Sequence, residues 1–230
     1  MKNTSNLPGR KPHAASSRPW LPALAFAALL AGGLSACVPL AVTGTAVGGS
    51  AIIDRRSIGT QVEDEGMEWK ISNRITERFG EKVHTNQTSY NRRVLLTGEA
   101  PDEETRREIE QIAAAVPNVE GVWNEIQIRP ISSLGARSND AYITSKVKAR
   151  FVDAGLFRPM LVKVVTEAEI VYLIGLATRK EADAAIQVAR TTAGVKKVVS
   201  VLQIITEEKA RELDPKPQEN PEERSPEYMG

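Results

Sequence analysis

Cysteine is all but absent from this chain: 230 residues contain one, Cys37. A single thiol excludes an internal disulfide framework and a thiolate metal cage, both of which need several. Histidine is almost as scarce, and beyond the first forty positions His84 stands alone. Its alternation with Val83 and Thr85 reads as a solvent-facing strand position. No GxGxxG, Walker A or H-E-x-x-H motif occurs, so phosphate cradles and the common zinc hydrolase helix are excluded. Glu103 and Glu104 could be called a carboxylate dyad. Neighbouring helical residues diverge by about 100°, so the pair serves a helix N-terminus better than acid–base chemistry. The expectation is a chain that is not an enzyme. Aromatics make up 5% and net charge is +1, which argues against a nucleic-acid binder with a strong basic face.

The only long apolar run lies near the start. Arg10, Lys11 and Arg18 precede "WLPALAFAALLAGGLSA", ending at Ala36. That order, basic then apolar then small, is the pattern of a secretory signal peptide. Leu34-Ser35-Ala36-Cys37 closes it and resembles the lipobox, in which the cysteine takes a diacylglycerol and becomes the mature N-terminus. The resemblance implies a signal peptide over 1–36 and a lipidated, palmitate-bearing Cys37, with no other cofactor. Each buried acyl methylene adds about 0.8 kcal/mol of membrane affinity. Val38 and Pro39 follow where lipoproteins retained at the inner membrane carry Asp, which favours the outer membrane. Residues 37–65, small and Gly-rich and then polar, read as a tether. Residues 206–230, rich in Pro and Glu, read as an acidic disordered tail.

Between tether and tail the sequence repeats. Ile71, Ile75 and Phe79 align with Ile143, Val147 and Phe151 at an offset of 72, each triplet on one helical face. "VLLTGEA" (94–100) aligns with "VYLIGLA" (171–177) at 77, and Val119, Val122, Ile126 and Ile128 with Val195, Val198, Leu202 and Ile204 at 76. An insertion around Leu156 to Met160 absorbs the difference. Each copy reads as helix, two-stranded hairpin, helix and final strand: a helix over about 66–79 and 140–154, hairpins over 83–98 and 161–175, a helix over 102–116 and 179–193, and a strand over 120–128 and 196–205. Gly98 and Gly175 are structural glycines at the end of the second strand. Asp102 is the N-cap candidate of its helix, and Gly194 and Pro117 are the stops. The last strand is expected parallel to the second, reached by a crossover.

An α-β-β-α-β unit of this length, with V-x-L-x-G closing the second strand, resembles the BON domain. Two such units behind a lipobox, with "DRRSIGTQVEDE" (54–65) before the first, are similar to the dual-BON outer-membrane lipoproteins. The expected fold class is α+β, two tandem BON units each with a three-stranded mixed sheet packed on two helices. Domain boundaries are 66–129 and 139–205, with a linker at 130–138. Glu167-Ala168-Glu169 departs from the Asn-Gly expected at a type I′ hairpin turn.

Charge is uneven: acidic residues outnumber basic ones in the first copy and the tail, while the second copy is net basic. In "NDAYITSKVKARFVDAGLF", Ile143, Val147 and Phe151 form the apolar stripe, while Tyr142 and Val152 point away from it between cations. Cations around an outward aromatic suit an anionic bilayer surface. The candidate phospholipid-binding set is Tyr142, Lys146, Val147, Lys148, Val152, Leu156 and Phe157, with Arg150 and Met160 beside it. The resemblance implies the same helix, a role in outer-membrane integrity, and proximity to the outer-membrane protein assembly machinery. The first helix mixes Glu68, Glu77 and Glu81 with Lys70, Arg74 and Arg78 and suits a supporting or partner-facing role. A second expectation is therefore a protein-interaction module that docks an envelope assembly machine or a cell-wall hydrolase regulator.

Overall fold

The computed structural model describes residues 54–214; Cys37, the signal peptide and the end of the tail lie outside them. In chain order the elements are α1 (Ile58–Phe79), β1 (His84–Tyr90), β2 (Arg93–Ala100), α2 (Glu103–Ala114), β3 (Gly121–Asn124), β4 (Gln127–Ile128), α3 (Leu134–Ala154), β5 (Val162–Glu167), β6 (Ile170–Thr178), α4 (Arg179–Arg190), β7 (Lys197–Ser200), β8 (Gln203–Ile205) and α5 (Glu207–Leu213). Short 3-10 turns sit at Gly80–Lys82 and Pro159–Leu161. No helix among these residues is long and apolar enough to cross a membrane.

In each unit the middle strand carries the sheet. β2 pairs antiparallel with β1 and parallel with β3 and β4; β6 does the same with β5, β7 and β8. The expected last strand is thus interrupted in both copies. Glu125 and Val201 still donate to the middle strand, to the Leu96 and Leu173 carbonyls, while the next residue bulges out of the ladder.

Strand alternation distributes the core. Val94 and Leu96 face Met67, Ile71, Ile75, Ile109 and Ala113 of α1 and α2, whereas Val171 and Leu173 face Ile143, Val147, Phe151, Ala185 and Ala189 of α3 and α4. The intervening residues, Leu95 on one sheet and Tyr172, Ile174 and Leu176 on the other, meet with Tyr90 and Val201 in a third cluster. The two sheets therefore stack by the faces their helices leave free, giving helix, sheet, sheet, helix. Truncating a fully buried residue such as Ile71 to Ala costs about 2–5 kcal/mol at a site of this kind.

The helix register corrects the sequence alignment. The buried stripe of α1 is Asp64, Met67, Ile71 and Ile75, and that of α3 is Asp140, Ile143, Val147 and Phe151. The offset is 76, one helical turn from the 72 read in the sequence, and it continues through Ile109/Ala185 and Ala113/Ala189. Only one extra residue separates helix from hairpin in the second unit. Likewise the equivalent of Gly194 (φ 96°) is Asn118, which takes φ 71°; Asn, not Pro117, supplies the left-handed stop.

Both hairpins use turns with two positive φ angles and no glycine: Asn91 and Arg92 at 52° and 63°, Ala168 and Glu169 at 52° and 63°. This is the type I′ signature, and apart from Asn91 it falls on residues that disfavour it. Buried carboxylates hold the turns. Asp140 accepts from the Ala168 and Glu169 amides at 2.9 and 2.8 Å. Asp64 accepts from those of Asn91 and Arg92 at 2.7 and 2.8 Å.

Three expected boundaries move. The tether loses its last residues to structure, because Ser57 caps α1 and the chain before it is pinned. Arg55 reaches Glu181 at 2.7 Å, the Leu176 carbonyl at 3.0 Å and Asp214 at 2.9 Å. Arg56 pairs with Asp54 and Asp64 and lies 3.9 Å from the Tyr90 ring centre. The linker cedes Leu134–Ser138 to α3, since the Ser133 hydroxyl accepts from the Ala136 amide at 3.2 Å and starts the helix early. The tail begins as α5, capped by Thr206 and packed through Ala210 and Leu213.

Candidate functional site

α3 runs unbroken for 21 residues and stops at Gly155, whose φ of 60° gives the left-handed end that a side chain would resist. One face is committed to the core and the opposite face meets solvent. Tyr142 is 63% exposed and Val152 67%. Between them on that face lie Ser145 and Ala149, both exposed. Just past the helix, Leu156 and Met160 are 60% and 58% exposed. The middle of the outward face is therefore apolar and small, with the exposed charges of Lys148 and Asp153 at its edges.

The cations divide by job. The Arg150 guanidinium donates to the Val188 carbonyl at 3.1 Å and to the hydroxyls of Thr192 and Thr191 at 2.9 and 3.1 Å. It caps the carbonyl end of α4, where a positive charge is favoured by the helix dipole. Lys146 donates to the Ala193 carbonyl and stacks its ammonium 4.5 Å from the Tyr142 ring centre, fixing the ring while spending part of its own reach. Lys148 is exposed and makes no ion pair or hydrogen bond among the described residues.

Two members of the sequence-derived set do not reach this surface. Val147 is fully buried against the sheet, and Phe157 is 8% exposed, its ring 4.9 Å from that of Phe151 at an edge-on 71°. Phe157 turns inward because the turn after Gly155 folds back over the end of the core, leaving Leu156 and Met160 outside. Of the set, the structure therefore leaves Tyr142, Lys148, Val152 and Leu156 exposed and Lys146 half-buried, and withdraws the other two as core.

Gly98 and Gly175 lie where the hairpin strands come closest. A Cβ on Gly98 would stand 2.0 Å from the His84 carbonyl oxygen, and one on Gly175 would stand 2.1 Å from that of Leu161. Gly98 also takes φ 118°. Both positions demand the absence of a side chain.

The sequence reading passed over a second outward stripe. On α1, Ile58, Val62 and Trp69 are 80%, 63% and 67% exposed and share one face at four- and seven-residue steps. A tryptophan facing solvent among Glu65 and Lys70 was the available signal. His84 also departs from expectation: its side chain is only 21% exposed and stands beside Glu167 of the second unit.

Comparison with known proteins agrees with this architecture. The BON domain model matches twice, over residues 70–130 and 139–206. The chain belongs to the BON-domain family. It is 34% identical over 174 residues to the outer membrane lipoprotein DolP of Haemophilus influenzae, covering 75% of this chain and 90% of that one. It is also 34% identical over 155 residues to a 21 kDa hemolysin of Actinobacillus pleuropneumoniae, covering 66% and 80%. The likeness to the solved structure of CdsD, a type III secretion protein of Chlamydia trachomatis, is slight: 14% identity and a TM-score of 0.27, over 63% of this chain and 95% of that one.

Proposed function

We propose that this BON protein is a non-enzymatic lipoprotein of the outer membrane, anchored through Cys37 on the periplasmic side, whose second unit binds anionic phospholipid through the outward face of α3. The observation that carries the reading is the exposure of Tyr142 and Val152 on that face, and of Leu156 and Met160 just past it, together with an uncommitted Lys148. An aromatic ring at headgroup level, aliphatic side chains just below it and a cation beside phosphate together suit an anionic interface. Similarity to an outer membrane lipoprotein supports the location. The anchor holds the face near its ligand, so a weak site works at high effective concentration. The biological role that follows is support of outer-membrane integrity.

The test is flotation of a soluble form lacking residues 1–37 with neutral and anionic vesicles. Binding is expected to anionic vesicles only, weakened by high salt. Tyr142→Ala with Lys148→Glu should abolish it, since reversing one charge at the surface alone removes about 2 kcal/mol, roughly thirtyfold. Equal binding of wild type and double variant would end this assignment.

A specific observation favours a second reading. The Ile58, Val62 and Trp69 stripe is a larger apolar surface than a supporting helix needs, and it suits a protein partner of the envelope assembly or cell-wall hydrolase systems. Trp69→Ala would then impair partner capture and leave vesicle flotation unchanged.

A further inference from the structure

The stacked sheets enclose three titratable side chains contributed by both units. His84 on β1 and Glu99 on β2 are direct cross-strand partners, and Glu99 shares its side of the sheet with Leu95, so it faces the other unit. Glu167 ends β5 on the side occupied by Val165 and faces back. Ligand atoms of His84, Glu99 and Glu167 all lie within 4.8 Å of one another, with His84 Nε2 and Glu167 Oε1 at 3.7 Å. Glu99 is 1% exposed and Glu167 3%.

Each carboxylate is held by one oxygen and offers the other. Glu167 Oε2 accepts from the Asn86 amide at 2.7 Å and Glu99 Oε2 from the Ser132 hydroxyl at 3.3 Å. Glu99 Oε1 is buried with no hydrogen-bond partner, although a buried carboxylate oxygen is ordinarily satisfied. The nearby guanidinium of Arg137 is turned to the Ser132 carbonyl, at 3.2 and 3.0 Å. The fold does not require such a cluster: the residue equivalent to Glu99 in the second unit is Leu176, packed between the sheets.

From this constellation we infer that His84, Glu99 and Glu167 form a site for a divalent cation of the zinc class, which bridges the two BON units. One imidazole and two carboxylates are a ligand set that zinc accepts, with a further position left to water. Metal–ligand bonds of about 2.0–2.2 Å set the ligand atoms roughly 3.3–3.6 Å apart around a tetrahedral ion. The 3.7 Å separation of His84 and Glu167 needs little closure to reach that. Asn86 and Ser132 supply the supporting hydrogen bonds that orient carboxylate ligands. A cleft of about 490 Å³, lined by His84, Asn86, Arg137, Asp140, Thr144 and Glu167, gives the ion a way in. The ion would neutralise the facing carboxylates and tie β1 and β2 of one unit to β5 of the other.

The test uses the full-length protein in detergent, stripped with chelator and titrated with Zn2+ by calorimetry and Co2+ by visible absorption. One ion per chain is expected, with a Co2+ ligand-field band and a rise in thermal midpoint on adding Zn2+. His84→Ala and Glu99→Gln should each weaken binding more than the roughly 10- to 100-fold that loss of a supporting hydrogen bond costs a metal site. Glu99→Gln keeps the side-chain shape and the Ser132 contact, so it reports on the site even where His84→Ala fails to fold. No saturable Zn2+ binding by the wild type would overturn the inference. So would a Zn2+ affinity in Glu99→Gln equal to that of the wild type.

Discussion

The helices of the two BON units bury equivalent residues 76 apart, down to the aspartate under each hairpin, yet the units meet solvent and each other differently. α1 turns Ile58, Val62 and Trp69 outward, while α3 turns Tyr142 and Val152 outward next to Lys148. Beneath the helices, Asp64 is built into a network and Asp140 is not. Asp64 accepts from two turn amides, from the Ser89 hydroxyl at 2.9 Å and from Arg56 at 2.6 Å. Asp140 holds the two turn amides. The pair teaches that what the fold requires is the turn-holding carboxylate and the close strand approach. What differs between units is available for function.

The shared requirement is the easiest to break. Gly98→Ala and Gly175→Ala would each drive a Cβ into a backbone carbonyl oxygen, that of His84 on β1 at 2.0 Å and that of Leu161 just before β5 at 2.1 Å. Such a backbone clash belongs with the exceptional losses of about 4–5 kcal/mol or more. Gly98→Ala should be the worse, since its φ of 118° adds strain that Gly175 lacks. Denaturant midpoints or soluble yields of the two variants check this, and a near-native midpoint for either would contradict the close approach.

The two aspartates separate next. Asp64→Ala leaves Arg56 half-paired in a buried site and frees two turn amides, a loss of about 3–5 kcal/mol. Asp140→Ala strips the turn amides alone and should cost about 1–3 kcal/mol. Replacing Ala168-Glu169 by Asn-Gly should recover part of the Asp140→Ala loss, because those residues take positive φ readily. Chemical denaturation of the three proteins measures the order, and equal losses for Asp64→Ala and Asp140→Ala would erase the distinction between the units.

How much of this was legible follows from what periodicity carries. Element types and the parallel last strand came through, because the 3.6 and 2 periods and the paired V-x-L-x-G segments are local. The helix register slipped by one turn because an i, i+4, i+8 stripe nearly matches itself when moved by four. Only the buried Asp64 and Asp140 break that degeneracy, and a lone acid in a helix reads as surface. Phe157 looked like a loop anchor because the sequence cannot tell which of two adjacent apolar residues turns inward after Gly155. His84 looked solvent-facing because its neighbours Glu99 and Glu167 come from another strand and another unit, through a sheet stacking that no local pattern reports. Trp69 was missed for the converse reason: its stripe is an exposed one, and attention to core faces passes over it.

The smallest effect expected concerns the segment that ties the units together. Arg55 and Arg56 are adjacent, but Arg56 binds Asp54 and Asp64 of the first unit while Arg55 binds Glu181 and Asp214 of the second. Burial alone would raise the Glu181 carboxyl, but the Arg55 hydrogen bonds and the Thr178 amide outweigh it and hold it below the usual range. A carboxylate whose folded-state value is depressed contributes stability that is complete above its unfolded value, near 4.5, and lost as pH falls through the folded one. Glu181→Gln keeps a capping side chain at the start of α4 and removes the charge. With Glu181 partly exposed, the loss at neutral pH should be modest, about 1 kcal/mol. Below pH 4.5 the wild-type and variant stabilities should converge. Because Arg56 does not touch Glu181, the contacts it makes to the first unit should survive the change. Denaturation curves from pH 7 to pH 3 test this, and a gap that stays constant with pH would mean that Arg55 holds the second unit by shape rather than by charge.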